Sequence, residues 1–87
     1  MLRIESLEID DHILDKIESK HVVSFEEVEE ACSSEASHVR LGREGLYKLF
    51  GQSANGRYLL VVLVNLGKSR WKIATAREMA DNERRLY

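Results

Sequence analysis

The sequence contains no proline and only one cysteine, Cys32. A single cysteine excludes an internal disulfide, and its place on the apolar side of a predicted helix is typical of a reduced, buried thiol. Without proline, the turns depend on glycine and asparagine. The sequence has no basic-then-apolar leader, and its longest apolar run, YLLVVLV, is too short to span a bilayer. These absences predict a cytoplasmic protein without a membrane segment.

Aromatic residues are also scarce, at 7% of the chain, whereas hydrophobic residues make up 44% and charged residues 32%. This composition is typical of a globular protein and excludes the low hydrophobicity of disordered chains. A chain of 87 residues can build one small core. We therefore predict a single domain over residues 1–87.

The net charge of −2 conceals an uneven distribution along the chain. Residues 1–46 carry five Lys or Arg and twelve Asp or Glu, a net of −7, whereas residues 47–87 carry eight and three, a net of +5. A basic second half favours a polyanion site there, and an acidic first half could meet a basic partner. The same pattern is also compatible with solvated charges that have no common role.

The first half of the chain predicts a short strand and two helices. RIESLEI alternates as a strand does, and Asp10 is then a candidate N-cap for the first helix. Ser24 and Glu27 have the spacing of a capping box at the start of the second helix.

Glycine-containing turns then separate four strand-like segments, at residues 37–41, 46–53, 57–65 and 69–75. Short connections predict an antiparallel meander. In the most prominent turn, Asn55 and Gly56 are expected to have positive φ. The third segment is apolar on both faces and should be central. Together these elements predict an α+β fold: a short strand, two helices, a four-stranded meander and a C-terminal helix.

The segment TAREMADNERRLY predicts that final helix. Thr75 and Glu78 have the spacing of a capping box, which assigns Glu78 a structural role. Arg77 then lies in the first turn of the helix, where a phosphate could bind between its guanidinium and the free backbone N–H groups.

Four segments match, in order, the pattern of one bacterial family: LEID, KHVVSF, ANGRYLLVV and TAREMADNERRLY. Through them the chain resembles the BrnT family of toxins from type II toxin–antitoxin systems, which have a RelE-like fold. The last segment is the most specific, through Ala76, Arg77, Glu83, Arg84 and Tyr87. The resemblance implies a ribonuclease that needs no metal or cofactor and inhibits translation by cleaving RNA. It also implies a ribbon-helix-helix antitoxin as partner, which could join several copies into a higher-order complex.

The chain departs from the family pattern at several positions. Val22 stands where the pattern has glycine, Leu7 and Ile9 replace aromatic residues, and Lys72 replaces an arginine. Lysine keeps the charge but lacks the bidentate geometry of a guanidinium. These changes leave open whether the activity is retained.

The family positions give a set of predicted site residues. Those assigned to catalysis are Arg57, Lys72, Arg77 and His21. The first three would stabilise charge on the phosphate, and the histidine would act as acid or base near neutral pH. Those assigned to RNA binding are Lys20, Arg70, Arg84 and Tyr87. Glu83 is expected to support the site by pairing with an arginine, whereas His12 and His38 are expected on the surface.

Three functions remain open from the sequence. The first is an endoribonuclease toxin with the residues above. The second is an inactive relative that serves as a binding module for a ribbon-helix-helix DNA-binding partner. The third, a nucleic-acid binder without catalysis, is less favoured because the chain is acidic overall and has few aromatic residues for stacking.

Overall fold

The computed structural model describes residues 3–87. In chain order its helices and strands are β1 (Ser6–Glu8), α1 (Asp11–Lys20), α2 (Phe25–Ser33), β2 (His38–Leu41), β3 (Leu46–Gln52), β4 (Tyr58–Gly67), β5 (Arg70–Glu78) and α3 (Asp81–Leu86). A short 3₁₀ turn, Arg43–Gly45, joins β2 to β3. This order confirms the predicted α+β fold.

The strands form one sheet in the order β1-β5-β4-β3-β2. Strands β2 to β5 pair antiparallel, as the short turns predict, and β4 lies at the centre as expected. Strand β1 pairs in parallel with β5, with Leu7 opposite Trp71, which makes the sheet mixed. That long-range pairing has no local signature in the sequence and was not predicted.

Side chains on one face of the sheet pack against α1 and α2. This main core consists of Ile17, Val23, Val28, Ala31, Leu49, Leu59, Val61, Leu63, Trp71, Ile73 and Ala76. The opposite face carries a smaller cluster formed by Phe50, Leu60 and Met79, with Tyr58 and Tyr87 packed on it. The sequence left open what covers this second face, and the C-terminal Tyr87 covers part of it.

The end of the chain differs from its prediction. Strand β5 does not stop at Thr75 but continues to Glu78, which pairs with Leu59 on β4. An irregular register between Val62 and Leu63 lets the strand continue past the point where its alternation breaks. The predicted capping box at Thr75 and Glu78 is therefore wrong. Helix α3 instead follows Ala80, whose N–H donates to Glu83 at 2.7 Å.

The N-termini of α1 and α2 are stabilised differently. In α2 the predicted capping box is confirmed, because the Glu27 N–H donates to Ser24 Oγ and the Ser24 N–H donates to the Glu27 carboxylate. Asp10 precedes α1 as predicted, but its side chain makes no capping bond. Its carboxylate pairs with Lys72 at 2.8 Å.

The turn between β3 and β4 brings the chain back to the sheet in five residues. The Gly56 N–H donates to the Ser53 carbonyl at 3.0 Å, so Ala54 and Asn55 are the central residues. Gly56 has φ 89°, whereas Asn55 lies outside the positive-φ region, contrary to the prediction. This is a turn followed by a left-handed glycine, and it places Arg57 immediately before β4.

Candidate functional site

The Arg57 side chain is fixed by three neighbours on the helix side of the sheet. Its Nε donates to Glu78 at 2.8 Å, and its Nη1 donates to both oxygens of Glu27 at 2.9 Å and to the Val22 carbonyl at 2.6 Å. Its Nη2 donates to no residue within 3–87. The guanidinium is thus held rigidly while one of its nitrogens stays available to a ligand.

Glu27 is the least exposed charged side chain of this cluster, with 16% of its side chain exposed. Burial alone would raise the pKa of its carboxyl, but hydrogen bonds from the Ser24 backbone and Arg57 outweigh burial and lower it. Burial likewise opposes the charge on Arg57, yet its two carboxylate partners raise the pKa of the guanidinium. The pair therefore stays ionised in the folded protein.

Val22 supplies the carbonyl that receives Arg57 and has an unfavourable backbone. Its φ is 53°, a region that β-branched residues rarely adopt, and its side chain is 71% exposed. We expect Val22→Gly to raise the free energy of unfolding by about 1 kcal/mol, because glycine adopts positive φ freely and little burial is lost. Thermal denaturation with Val22→Ala as comparison measures this effect. A Val22→Gly variant no more stable than wild type would show that the positive φ of Val22 does not strain the backbone.

Arg77 lies on β5, opposite Leu60, and not in a helix as predicted. It therefore projects from the face of the smaller cluster, whereas Arg57 projects from the helix face. Its two terminal nitrogens bind the two oxygens of Glu83 at 2.7 and 2.9 Å, and Nη1 also donates to the Glu78 carbonyl. The expectation that Glu83 holds an arginine is met in geometry. This pair attaches α3 to the sheet.

The partly buried carboxylates of Glu27 and Glu83 make the stability of the fold depend on pH. The hydrogen bond from Arg77 lowers the pKa of Glu83, and the bonds described above lower that of Glu27, relative to the ordinary 4.5. A lowered folded-state pKa contributes stability above the unfolded value, and this contribution is lost as the pH falls through the folded pKa. We expect the melting temperature to be steady near neutral pH and to fall below about pH 4.5.

Thermal melts of wild type and Glu27→Gln across this range test that dependence. The variant should melt lower near neutral pH and should lose less stability on acidification, because it lacks one of the titrating groups. Parallel curves for the two proteins would show that Glu27 does not contribute.

A groove of about 280 Å³ opens beside Arg57 at the end of the sheet. Its lining residues are Gly56, Arg57, Tyr58, Glu78, Met79, Asp81 and Arg84. Arg84 lies over the ring of Tyr58, with its guanidinium carbon 4.5 Å from the ring centre. Arg57, immediately before β4, and Arg84 on α3 thus line one groove, although they lie far apart in the sequence.

A second groove of about 540 Å³ shares Tyr58, Asp81 and Arg84 with the first. It continues along Gln52, Arg85 and Tyr87. Tyr58 and Tyr87 meet edge to face, with ring centres 5.7 Å apart. Guanidiniums beside aromatic rings are the usual lining of sites for single-stranded nucleic acid.

The remaining predicted cations lie elsewhere. Lys72 pairs with Asp10, and Arg70 pairs with Glu8 at 2.6 Å, near the beginning of β5. Glu78 lies six residues after Lys72, a distance of about 20 Å along β5. Arg57 and Lys72 therefore lie too far apart to contact the same phosphate.

Lys20 and His21 lie at the C-terminal end of α1, immediately before Val22, whose carbonyl accepts a hydrogen bond from Arg57. Lys20 is the last helical residue and is exposed, and the half-buried His21 donates its backbone N–H to the Ile17 carbonyl. Neither side chain makes a hydrogen bond to another residue in the part of the chain that the structure describes. Their predicted roles remain predictions.

Sequence reasoning missed the surroundings of two residues, His38 and Glu78. His38, expected on the surface, is stacked between Phe50 and Tyr87, each with its ring centre 5.2 Å away. Glu78, assigned to a helix cap, instead lines the groove and contacts Arg57. The alternation of side chains along β5 would have placed Glu78 beside Arg57 only if the irregular register between Val62 and Leu63 had been known in advance.

Cys32 lies half-buried on α2, and burial raises the pKa of its thiol to about 12. In residues 3–87, no three His, Cys, Asp or Glu side chains are grouped so that they could hold a metal ion. Over the same residues no helix has the length and hydrophobicity needed to cross a membrane.

Comparisons with known proteins identify the fold. Neither protein-family profiles nor curated protein sequences give a match to this sequence. Among solved structures, the 1.1 Å crystal structure of the Brucella abortus ribonuclease toxin BrnT superposes with a TM-score of 0.72. The match covers 87% of this chain and 97% of that chain at 14% sequence identity. The chain therefore has the fold of the BrnT ribonuclease toxin, which confirms the structural part of the resemblance in its sequence.

Proposed function

We propose that the chain is a ribonuclease toxin that cleaves RNA in the groove between Arg57 and Arg84. The observation that carries this proposal is the anchored guanidinium of Arg57, which lines the groove and whose Nη2 has no hydrogen-bond partner in residues 3–87. Cleavage of RNA by its own 2′-hydroxyl requires cations that meet the charge developing on phosphorus. A rigid arginine supplies such a cation without reorganisation when the reaction occurs.

Arg84, Tyr58 and Tyr87 supply the means to hold a single-stranded substrate. Each nucleobase can stack on a ring or a guanidinium plane, and each phosphate can meet an arginine. Arg85 extends the positive charge along the second groove. RNA would therefore pass from the Arg57 groove toward the C-terminus.

The ribonuclease proposal also implies a cellular role and a protein partner. A solved structure with this fold is that of a ribonuclease toxin. For this chain we accordingly propose a single cytoplasmic domain that acts without metal, inhibits translation and is neutralised by a ribbon-helix-helix antitoxin. The acidic first half of the chain offers a surface for such a basic partner.

A second candidate is an inactive binding module for the same type of partner. The observation that favours it is the number of predicted cations already paired with carboxylates: Arg57, Arg70, Lys72 and Arg77. Each pair weakens attraction for an external phosphate. The module predicts a stable complex with its partner and intact RNA.

Induced expression in a bacterial culture separates the two candidates. The toxin proposal predicts growth arrest and degraded total RNA with wild type, and both effects should weaken with Arg84→Ala. Arg84 is exposed, so this change leaves the core intact. Arg43→Ala removes the same charge in the exposed turn at the far end of β3 and should stay toxic. Normal growth and intact RNA with well-expressed, folded wild type would favour the binding module.

A further inference from the structure

Glu78 lines the groove, and it does not have the helix-capping role that its sequence spacing predicted. It ends β5 and takes no part in capping α3, because the N-terminal N–H of that helix binds Glu83. Its side chain is 61% exposed and lines the groove with Arg57 and Arg84.

Arg57 and Arg77 bind three carboxylates between them. Of these, Glu78 alone has an oxygen without a hydrogen-bond partner in residues 3–87. Both oxygens of Glu27 accept hydrogen bonds from Arg57, and one also accepts from Ser24. Both oxygens of Glu83 accept from Arg77. Glu78 uses only Oε1, which accepts from Arg57 Nε, so Oε2 remains able to accept a proton.

We propose that Glu78 is the general base of RNA cleavage in this groove, an inference that rests on the ribonuclease function proposed above. Its free oxygen takes the proton of a ribose 2′-hydroxyl, and the resulting O2′ forms a bond to the adjacent phosphorus. The bond from phosphorus to O5′ breaks, and O5′ takes a proton from a water molecule. The hydroxide left behind recovers the proton from Glu78. The products are a 2′,3′-cyclic phosphate and a 5′-hydroxyl.

The charges around Glu78 suit this reaction. The Nε of Arg57 donates to Oε1 of Glu78 at 2.8 Å and orients the carboxylate. Arg57 is itself held in place by its hydrogen bonds to Glu27. Arg84 and Asp81 line the same groove. The base and a cation for the phosphate are therefore adjacent, which acid–base catalysis at phosphorus requires.

Glu78→Gln tests the assignment, because the glutamine carbonyl can still accept from Arg57 while it cannot take up a proton. Single-turnover cleavage of a short single-stranded RNA should fall by about 100-fold or more. Binding of the same sequence with 2′-O-methyl riboses, which cannot be cleaved, should be unchanged or tighter. Cyclic phosphate ends should be found in the wild-type products. Glu78→Asp should restore part of the rate.

Glu44→Gln is the control, because it removes one exposed carboxylate at the far end of β3 and should cleave normally. If wild type cleaves RNA and Glu78→Gln cleaves equally well, the base is another group and this inference is overturned. Loss of cleavage together with weaker binding would make Glu78 a residue that only positions Arg57. A cleavage loss in Asp81→Asn with Glu78→Gln active would move the base to Asp81. Wild type that leaves RNA intact would overturn the ribonuclease function itself.

Discussion

Gly51→Ala should lower the free energy of unfolding by about 3 kcal/mol or more, a large part of the stability of a small domain. Gly51 is buried on β3, where α2 packs against the strand. A Cβ at this position would overlap the backbone carbonyl oxygen of Ala31 and lie 2.8 Å from its carbonyl carbon. Because those atoms belong to the helix backbone, no side-chain rotation relieves the overlap and α2 must move off the sheet.

Urea denaturation of Gly51→Ala and Gly67→Ala measures this effect. Gly67 has φ 87°, and no atom lies within 4 Å of the place that an alanine methyl group would take, so alanine there bears only the backbone penalty of about 1 kcal/mol. The two variants should differ clearly in their unfolding midpoints. Equal stabilities would show that α2 does not pack on Gly51 as closely as the structure requires.

Arg57→Ala should reduce RNA cleavage by about 100- to 1,000-fold if the proposed function holds. The guanidinium is the anchored cation of the groove, and no other arginine approaches Glu27 and Glu78 together in residues 3–87. The variant should also lose about 2 kcal/mol of stability, because the partly buried charge of Glu27 is left without its partner. Arg57→Lys should recover some stability but little activity, since one ammonium cannot replace the fork.

Cleavage by these variants is compared at a temperature where circular dichroism shows each of them folded. Arg43→Ala, which removes an exposed guanidinium from the turn before β3, should cleave at the wild-type rate. If Arg57→Ala keeps most of the cleavage activity while folded, the phosphate is held elsewhere.

Some local patterns in the sequence predicted local features correctly, whereas the side-chain cap at Asp10 and the positive φ of Asn55 are not found. The capping box of α2 depends on residues three apart, and the hairpins depend on glycines within a few residues of each turn. Strand β4 could be placed at the centre because both of its faces are apolar. Each of these signals is complete within one short segment.

Long-range pairing determined what the sequence could not show. Thr75 and Glu78 have the spacing of a capping box, but the first residues of β4 need strand partners, and this pairing keeps both residues in β5. The contact of Arg57 with Glu27 joins positions thirty residues apart. Arg57 could be selected from the sequence as a site residue, but its contact with Glu78 is visible only in the folded structure.

The most direct test of the ribonuclease proposal is incubation of purified, partner-free protein with single-stranded RNA in the presence of EDTA. We expect wild type to cleave the RNA under these conditions and Arg57→Ala, folded at the same temperature, to leave it almost intact. RNA that remains uncut by folded wild-type protein, both with EDTA and with added divalent cations, would contradict the account and favour a binding module.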